Sequence, residues 1–137
     1  MPRADVYRVM RQTFNSQQIL LVDDEPTVRD AIRMLLTFEG HHVEAVSSGA
    51  EALEKLGERS YDFVFTDHIM GGMSGEQLAR AIKAKYPLQI VVMLTAYAEV
   101  LEQLTQEGPL VDFTLSKPID IRLLRLMLLH LTPEKTV

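Results

Sequence analysis

Short runs of consecutive apolar residues alternate along this chain with stretches whose apolar residues recur at helical spacing. That alternation limits the folds open to it. Ile19 to Val22 is the first run and stops at Asp23-Asp24. Val28, Ile32, Leu35 and Leu36 follow at a helical period, and Gly40 closes the pattern as a C-cap. His42 to Val46 reads as a second strand. Ser48 with Glu51 reads as a capping box ahead of a helix carrying Ala52, Leu53 and Leu56. Phe63 to Thr66 is a third strand, running into Asp67. Ser74 with Gln77 is another capping box, before a helix bearing Leu78, Ala81 and Ile82. Ile90 to Leu94 is a strand apolar throughout, followed by a more polar helix over 98–107. Phe113 to Leu115 is a fifth strand, and Pro118 and Asp120 open a last helix to Leu131. Strands apolar on both faces, alternating with helices, require a parallel sheet covered on both sides. The pattern therefore predicts an α/β fold: a three-layer αβα sandwich around a five-stranded parallel sheet built from (βα)5 repeats.

Composition narrows the class of protein. The 137 residues fit one domain, and a chain of that size buries roughly 68% of its unfolded surface. With 47% apolar residues it is too apolar for a disordered chain, and without Cys it has no disulfide framework, thiolate metal site or thiol nucleophile. Fourteen Lys and Arg against 19 Asp and Glu give a net charge of −5, which argues against nucleic acid or an anionic membrane surface as partner. The N-terminus lacks the apolar core of a signal peptide, and Leu123 to Leu131 is too short and too interrupted for a membrane span. The expectation is a soluble, cytoplasmic protein. Residues 1–17 read as an extension, 18–132 as the domain and 133–137 as a tail.

In open parallel sheets ligands bind outside the carboxyl ends of the strands. Asp23, Asp24 and Glu25 follow the first strand, Asp67 the third, Thr95 the fourth, and Ser116, Lys117 and Pro118 the fifth. Clustered carboxylates take up protons unless a cation sits among them. Hard oxygen ligands with room for water suit Mg²⁺. A carboxylate beside Mg²⁺ can attack phosphorus, while a hydroxyl and a lysine help neutralise the phosphoryl oxygens.

Four segments carry a resemblance: LLVDDEP (20–26), FTDHIMGGMSG (65–75), VVMLTAYA (91–98) and LSKPI (115–119). In this order, each at a strand end, they resemble the receiver domain of the bacterial response-regulator family, whose fold is flavodoxin-like. The resemblance implies Asp67 as phosphoacceptor, Asp24 as a direct Mg²⁺ ligand, Asp23 as its acidic neighbour, and the Ile69 backbone carbonyl as a further ligand. It implies Thr95 as the switch hydroxyl and Lys117 as the lysine that pairs with the phosphoryl group, before a cis Lys-Pro bond. It also implies a signalling module rather than an enzyme, phosphorylated by a histidine kinase or a phosphotransfer protein.

The chain departs from the family at three places. Gly71 stands where the family has Pro, and a Gly there loosens the loop after Asp67. Thr114 stands at the aromatic switch position, with Phe113 one residue earlier; either a bulge realigns Phe113 or the aromatic relay is missing. His68 replaces a commonly apolar residue and reads as an exposed loop residue. Ile69 and Tyr97 occupy the positions that resemble the family's lifetime-tuning sites, and both are bulky enough to hinder an attacking water.

On the last helix Leu123, Leu124, Met127 and Leu131 are expected to face the sheet. That leaves Leu126 and Leu129 outside with Arg122 and Arg125, a candidate interaction surface set against a core helix with incidental exposed leucines. In the family, the face built from the fourth helix, fifth strand and fifth helix often makes homodimers or partner contacts. Val6, Met10 and Phe14 form either a short amphipathic helix or one side of a tail. With six residues after Leu131, the expected output is protein–protein contact by a stand-alone receiver, or by a receiver excised from a hybrid kinase. The competing readings are a degenerate receiver that binds without phosphorylation, a haloacid-dehalogenase-like phosphatase and a flavin binder. The phosphatase needs an Asp-x-Asp loop, and the flavin site needs donors where this chain offers carboxylates.

Overall fold

The computed structural model describes residues 16–96 and 111–131. Residues 1–15 of the N-terminal extension, read as short helix or tail, lie outside these residues, as do Tyr97, the helix expected over 98–107 and the C-terminal tail. The described chain is β1 (Gln18–Val22), α1 (Pro26–Phe38), β2 (His42–Val46), α2 (Gly49–Glu58), β3 (Phe63–Asp67), α3 (Gly75–Lys85), β4 (Ile90–Thr95), β5 (Phe113–Ser116) and α4 (Ile121–Leu131). The five strands form one parallel sheet in the order β2-β1-β3-β4-β5. The predicted α/β sandwich is therefore the fold.

Strand alternation divides the core in two. Leu20, Val22, Val64, Val91 and Met93 face α2 and α3, against Ala52, Leu56, Leu78 and Ile82. Ile19, Leu21, Phe65, Val92 and Leu94 face the other way, against Ile32 and Leu36 of α1 and Leu124, Met127 and Leu128 of α4. The strand order reverses direction between β1 and β3. Their carboxyl ends therefore border the switch-point crevice where such sheets bind ligands.

Local signals act largely as the sequence predicts. Ser74 and Gln77 make both halves of the capping box of α3, at 3.2 and 2.9 Å. At α2 only half of the expected box forms. Ser48 Oγ accepts from Glu51 N, but the Glu51 carboxylate accepts the Ser47 hydroxyl instead, at 2.7 Å. Gly40, at φ 98°, turns the chain out of α1 in a backbone region that a Cβ disfavours.

Two expectations for the last helix need correction. Leu128, not Leu123, packs on the sheet, and Leu123 stays 42% exposed beside Leu126 and Leu129. Arg125 does not rim an open patch. It makes a two-pronged ion pair with Glu39, at 3.0 and 2.9 Å, because its side of α4 looks across to the end of α1. Arg122 is exposed. Among the described residues no helix is long and apolar enough to cross a membrane.

His41 and Gln17 tie the start of β1 to the end of α1. The buried His41 Nδ1 accepts the Gln17 N–H at 3.1 Å, so the ring serves the fold as a neutral acceptor. Burial holds its pKa below the ordinary histidine value. A depressed folded pKa means that the stability His41 contributes is present above the ordinary pKa and lost as pH falls through the folded one. Chemical denaturation between about pH 7 and about pH 5 should show this loss in the wild type, and His41→Ala should remove it. At neutral pH, His41→Ala should cost about 1–3 kcal/mol, because the Gln17 N–H is left buried without its acceptor.

Candidate functional site

The acidic cluster grows out of β1 and β3. Both strands are buried on both faces, so the first polar side chains they can support stand at their carboxyl ends. Asp23 follows β1 and has no exposed surface. Its Oδ1 accepts the Glu25 N–H at 2.9 Å, and its backbone carbonyl accepts Arg29 Nη1 at 2.9 Å. Asp24 is exposed and reaches the loop after β3, where its Oδ2 accepts the Gly71 N–H at 2.8 Å. Asp67 ends β3. One carboxylate oxygen from each of Asp23, Asp24 and Asp67 lies within 4.8 Å of the others.

Lys117 supplies the balancing charge. Its Nζ stands 2.8 Å from Asp67 Oδ1 and 3.4 Å from Asp23 Oδ2. Its root is fixed by its own N–H, which donates to the Thr95 carbonyl at 3.0 Å, and the Lys117–Pro118 bond that follows is cis. Burial pulls the ammonium pKa down, but the hydrogen bond to Asp67 and the charges of Asp23 and Asp67 outweigh it, so the net shift is upward. For Asp23 burial dominates: it raises the carboxyl pKa, the Asp67 charge adds to the rise, and the Glu25 N–H and Lys117 only partly oppose it. Three hard anionic donors, one of them open to solvent, fit a small divalent cation such as Mg²⁺.

The Asp67 carboxylate is asymmetric. Lys117 Nζ and the His68 N–H, at 3.0 Å, both donate to Oδ1. Thr95 ends β4, is 2% exposed, and directs its hydroxyl towards the residue after Asp67. The start of α3 is pressed on this loop. Gly75 N donates to the His68 carbonyl at 2.9 Å, and a Cβ on Gly75 would overlap the Asp67 carbonyl oxygen.

The sheet thus brings Asp23, Asp24, Asp67, Thr95 and Lys117 to one edge, as their positions at strand ends predict. Ile69 lies beside them with its side chain 65% exposed. Sequence reasoning underrated His68. Its ring is anchored, with Nε2 2.8 Å from Glu76 Oε1 and Nδ1 3.5 Å from the Thr95 hydroxyl. A histidine followed eight residues later by a glutamate at a helix start was the only signal available.

The register of β5 settles the aromatic question. Phe113, Thr114, Leu115 and Ser116 pair in turn with Val92, Met93, Leu94 and Thr95, with no inserted residue. No bulge realigns Phe113. It packs in the core on the α1 and α4 side, and Thr114 holds the position at which the family has an aromatic.

The family model for the response regulator receiver domain matches residues 19–129. The chain belongs to that family. It is 33% identical over 114 residues to a cyclic di-GMP phosphodiesterase of Thermotoga maritima, and 38% identical over 104 residues to the transcriptional regulatory protein GlrR of Escherichia coli. These matches take in 82% and 74% of this chain, but only 30% and 23% of those proteins. The names of those relatives therefore describe far longer chains. Among solved structures, the response regulator TrrA of Thermotoga maritima, in complex with Mg²⁺-BeF, superposes with a TM-score of 0.74 at 32% identity. It covers 82% of this chain and 96% of TrrA. A sensor protein from Polaromonas sp. JS666 gives 0.76 at 30% identity, covering 82% and 92%. A receiver domain is a signalling module of two-component systems, and residues 19–129 form such a domain.

A folded pKa raised above the ordinary carboxylate value means that ionising Asp23 costs stability, and the cost grows as pH rises through that range. In metal-free buffer at neutral pH, Asp23→Asn should therefore raise the thermal midpoint. The gain should shrink on acidification. Calorimetry with and without Mg²⁺ checks both points, and Mg²⁺ should stabilise the wild type more than the variant.

Proposed function

We propose that Asp67 accepts a phosphoryl group from a phosphohistidine, carried by a histidine kinase or a phosphotransfer protein, and that the resulting charge changes which partners the domain contacts. The observation that carries this reading is the Lys117 ammonium, 2.8 Å from Asp67 Oδ1, with Asp23 and Asp24 alongside. A binding module that never met a phosphoryl group would have no chemical need for three carboxylates crowded at one strand edge.

The asymmetry of Asp67 supports distinct roles for its two oxygens. Oδ1 is held by Lys117 and the His68 N–H, so Oδ2 is the oxygen that attacks phosphorus. The new O–P bond forms as the N–P bond of the phosphohistidine breaks, and the imidazole leaves and takes a proton from solvent. Asp23, Asp24, Asp67 and the Ile69 carbonyl would hold Mg²⁺, which when bound offsets the negative charge of the phosphoryl oxygens. Lys117 then turns from the carboxylate to the phosphoryl group, and the Thr95 hydroxyl donates to it. Phosphorylation adds about two negative charges and three acceptor oxygens at this edge, enough to favour an alternative packing of the loop after β4.

The bulk of Ile69, exposed directly after the acceptor loop begins, shields the phosphoryl group from water and lengthens its lifetime. Tyr97 is the second candidate for that role and lies outside the described residues. The exposed row Leu123, Leu126 and Leu129 on α4, with Arg122, is the surface we assign to output contacts, including pairing with a second copy.

Intact mass spectrometry after incubation with acetyl phosphate tests the acceptor. The wild type should gain one phosphoryl group only when Mg²⁺ is present, and Asp67→Ala should gain none. A phosphoryl group on Asp67→Ala would refute the assignment. Lys117→Ala should retain Mg²⁺ binding yet lose most of the switch. Ile69→Asn should shorten the phosphoryl lifetime several-fold, read as decay of the adduct mass.

A further inference from the structure

The side chains of His68 and Glu76 have no part in the chemistry above, yet they are tied to each other beside it. His68 Nε2 lies 2.8 Å from Glu76 Oε1, and the ring is mostly buried, with its side chain 20% exposed. A carboxylate only accepts, so Nε2 carries the hydrogen, and in the neutral ring Nδ1 is left as an acceptor. That nitrogen faces Thr95 Oγ1 at 3.5 Å. The backbone holds both ends of the arrangement. Gly75 N donates to the His68 carbonyl, and the absence of a Cβ on Gly75 lets α3 sit close enough for Glu76, in its first turn, to reach the ring. The imidazole is thus fixed from below by backbone and from outside by a carboxylate, with its remaining nitrogen aimed at the hydroxyl that must turn when Asp67 carries phosphate.

We propose that His68, oriented by Glu76, is a positioning residue that retains the Thr95 hydroxyl in its unphosphorylated arrangement. The pair sets how readily Thr95 goes over to the phosphoryl group. This rests on the reading of Asp67 as phosphoacceptor and adds the element that biases its switch. The two arrangements compete for one hydroxyl proton: donated to His68 Nδ1 in one, to a phosphoryl oxygen in the other. A ligand that binds one state gains apparent affinity when the opposing state loses a contact. At 3.5 Å the contact is at the long end of a hydrogen bond, so its bias is modest. Its removal should shift the equilibrium by between about twofold and tenfold.

Beryllofluoride with Mg²⁺ is the probe, titrated against the wild type, His68→Leu, Glu76→Ala and Glu76→Gln, each also in a Thr95→Val background. His68→Leu keeps the bulk and removes the acceptor. It should bind the probe between about twofold and tenfold more tightly. Glu76→Ala should do the same, and Glu76→Gln, which keeps an oxygen for Nε2, should read like the wild type. With Thr95→Val all three should have no effect, because the hydroxyl they act through is gone. In metal-free protein the Thr95 methyl resonance should move in His68→Leu and Glu76→Ala, and stay in Glu76→Gln. Should His68→Leu fold poorly, Glu76→Ala carries the same comparison from a more exposed position. Unchanged affinity in both variants overturns the proposal and leaves the phosphoacceptor reading standing. An equal gain in the Thr95→Val background also overturns it, since the effect then bypasses Thr95. A wild type that takes up no beryllofluoride and no phosphoryl group overturns the phosphoacceptor reading, and this inference with it.

Discussion

The Lys117 ammonium, held between the carboxylates of Asp67 and Asp23, is the interaction on which the rest of the site depends. Like charges this close cannot all persist in a partly buried setting without a cation, and Asp23, with no exposed surface, has the least recourse to water. The lysine comes from the far side of the sheet. It leaves β5 at the edge and reaches past the end of β4 to β3 and β1, so the pair fixes the ends of strands that are not neighbours. Its root bonds to the carbonyl of Thr95. The charge balance of the cluster and the placement of Thr95 are therefore linked through one residue.

The same edge is braced on its other side by α3. Gly75 allows the helix start to touch the loop after Asp67, and Glu76 and His68 then meet. The two cores beneath it are dense and apolar and have no reason to move. Phe113 belongs to one of those cores, in register with Val92. Thr114 stands at the neighbouring position, so among the described residues of β5 no aromatic ring lies on that face.

Much of this was legible in the residue order. Apolar runs marked the inner strands, because a buried parallel strand must be apolar on both faces. The edge strand His42–Val46 also matches to the residue, although His42 is exposed and Glu44 only half-buried. The site was legible for a related reason. A fully buried strand can change character only where it ends, so Asp23, Asp67, Thr95 and Lys117 announced one edge. Periodicity failed where two answers fit the same helix. Leu123 and Leu128 are both compatible with an inward face, and only the packing of α4 on the sheet chose Leu128. Arg125 read as a surface cation because nothing in the sequence shows that the end of α1 brings Glu39 beside it. Glu51 was assigned to its cap, yet Ser47, four residues back, offered a shorter bond.

The sequence by itself determined the parallel α/β sandwich and the collection of acidic, hydroxyl and lysine side chains at its carboxyl edge. Both follow from local rules, strand by strand and turn by turn. The tertiary structure alone decided which oxygen of Asp67 Lys117 holds, how α3 abuts the acceptor loop, and that His68 lies between Glu76 and Thr95. Those outcomes depend on distances between residues far apart in the chain, set by strand order, register and helix packing, which no local pattern encodes.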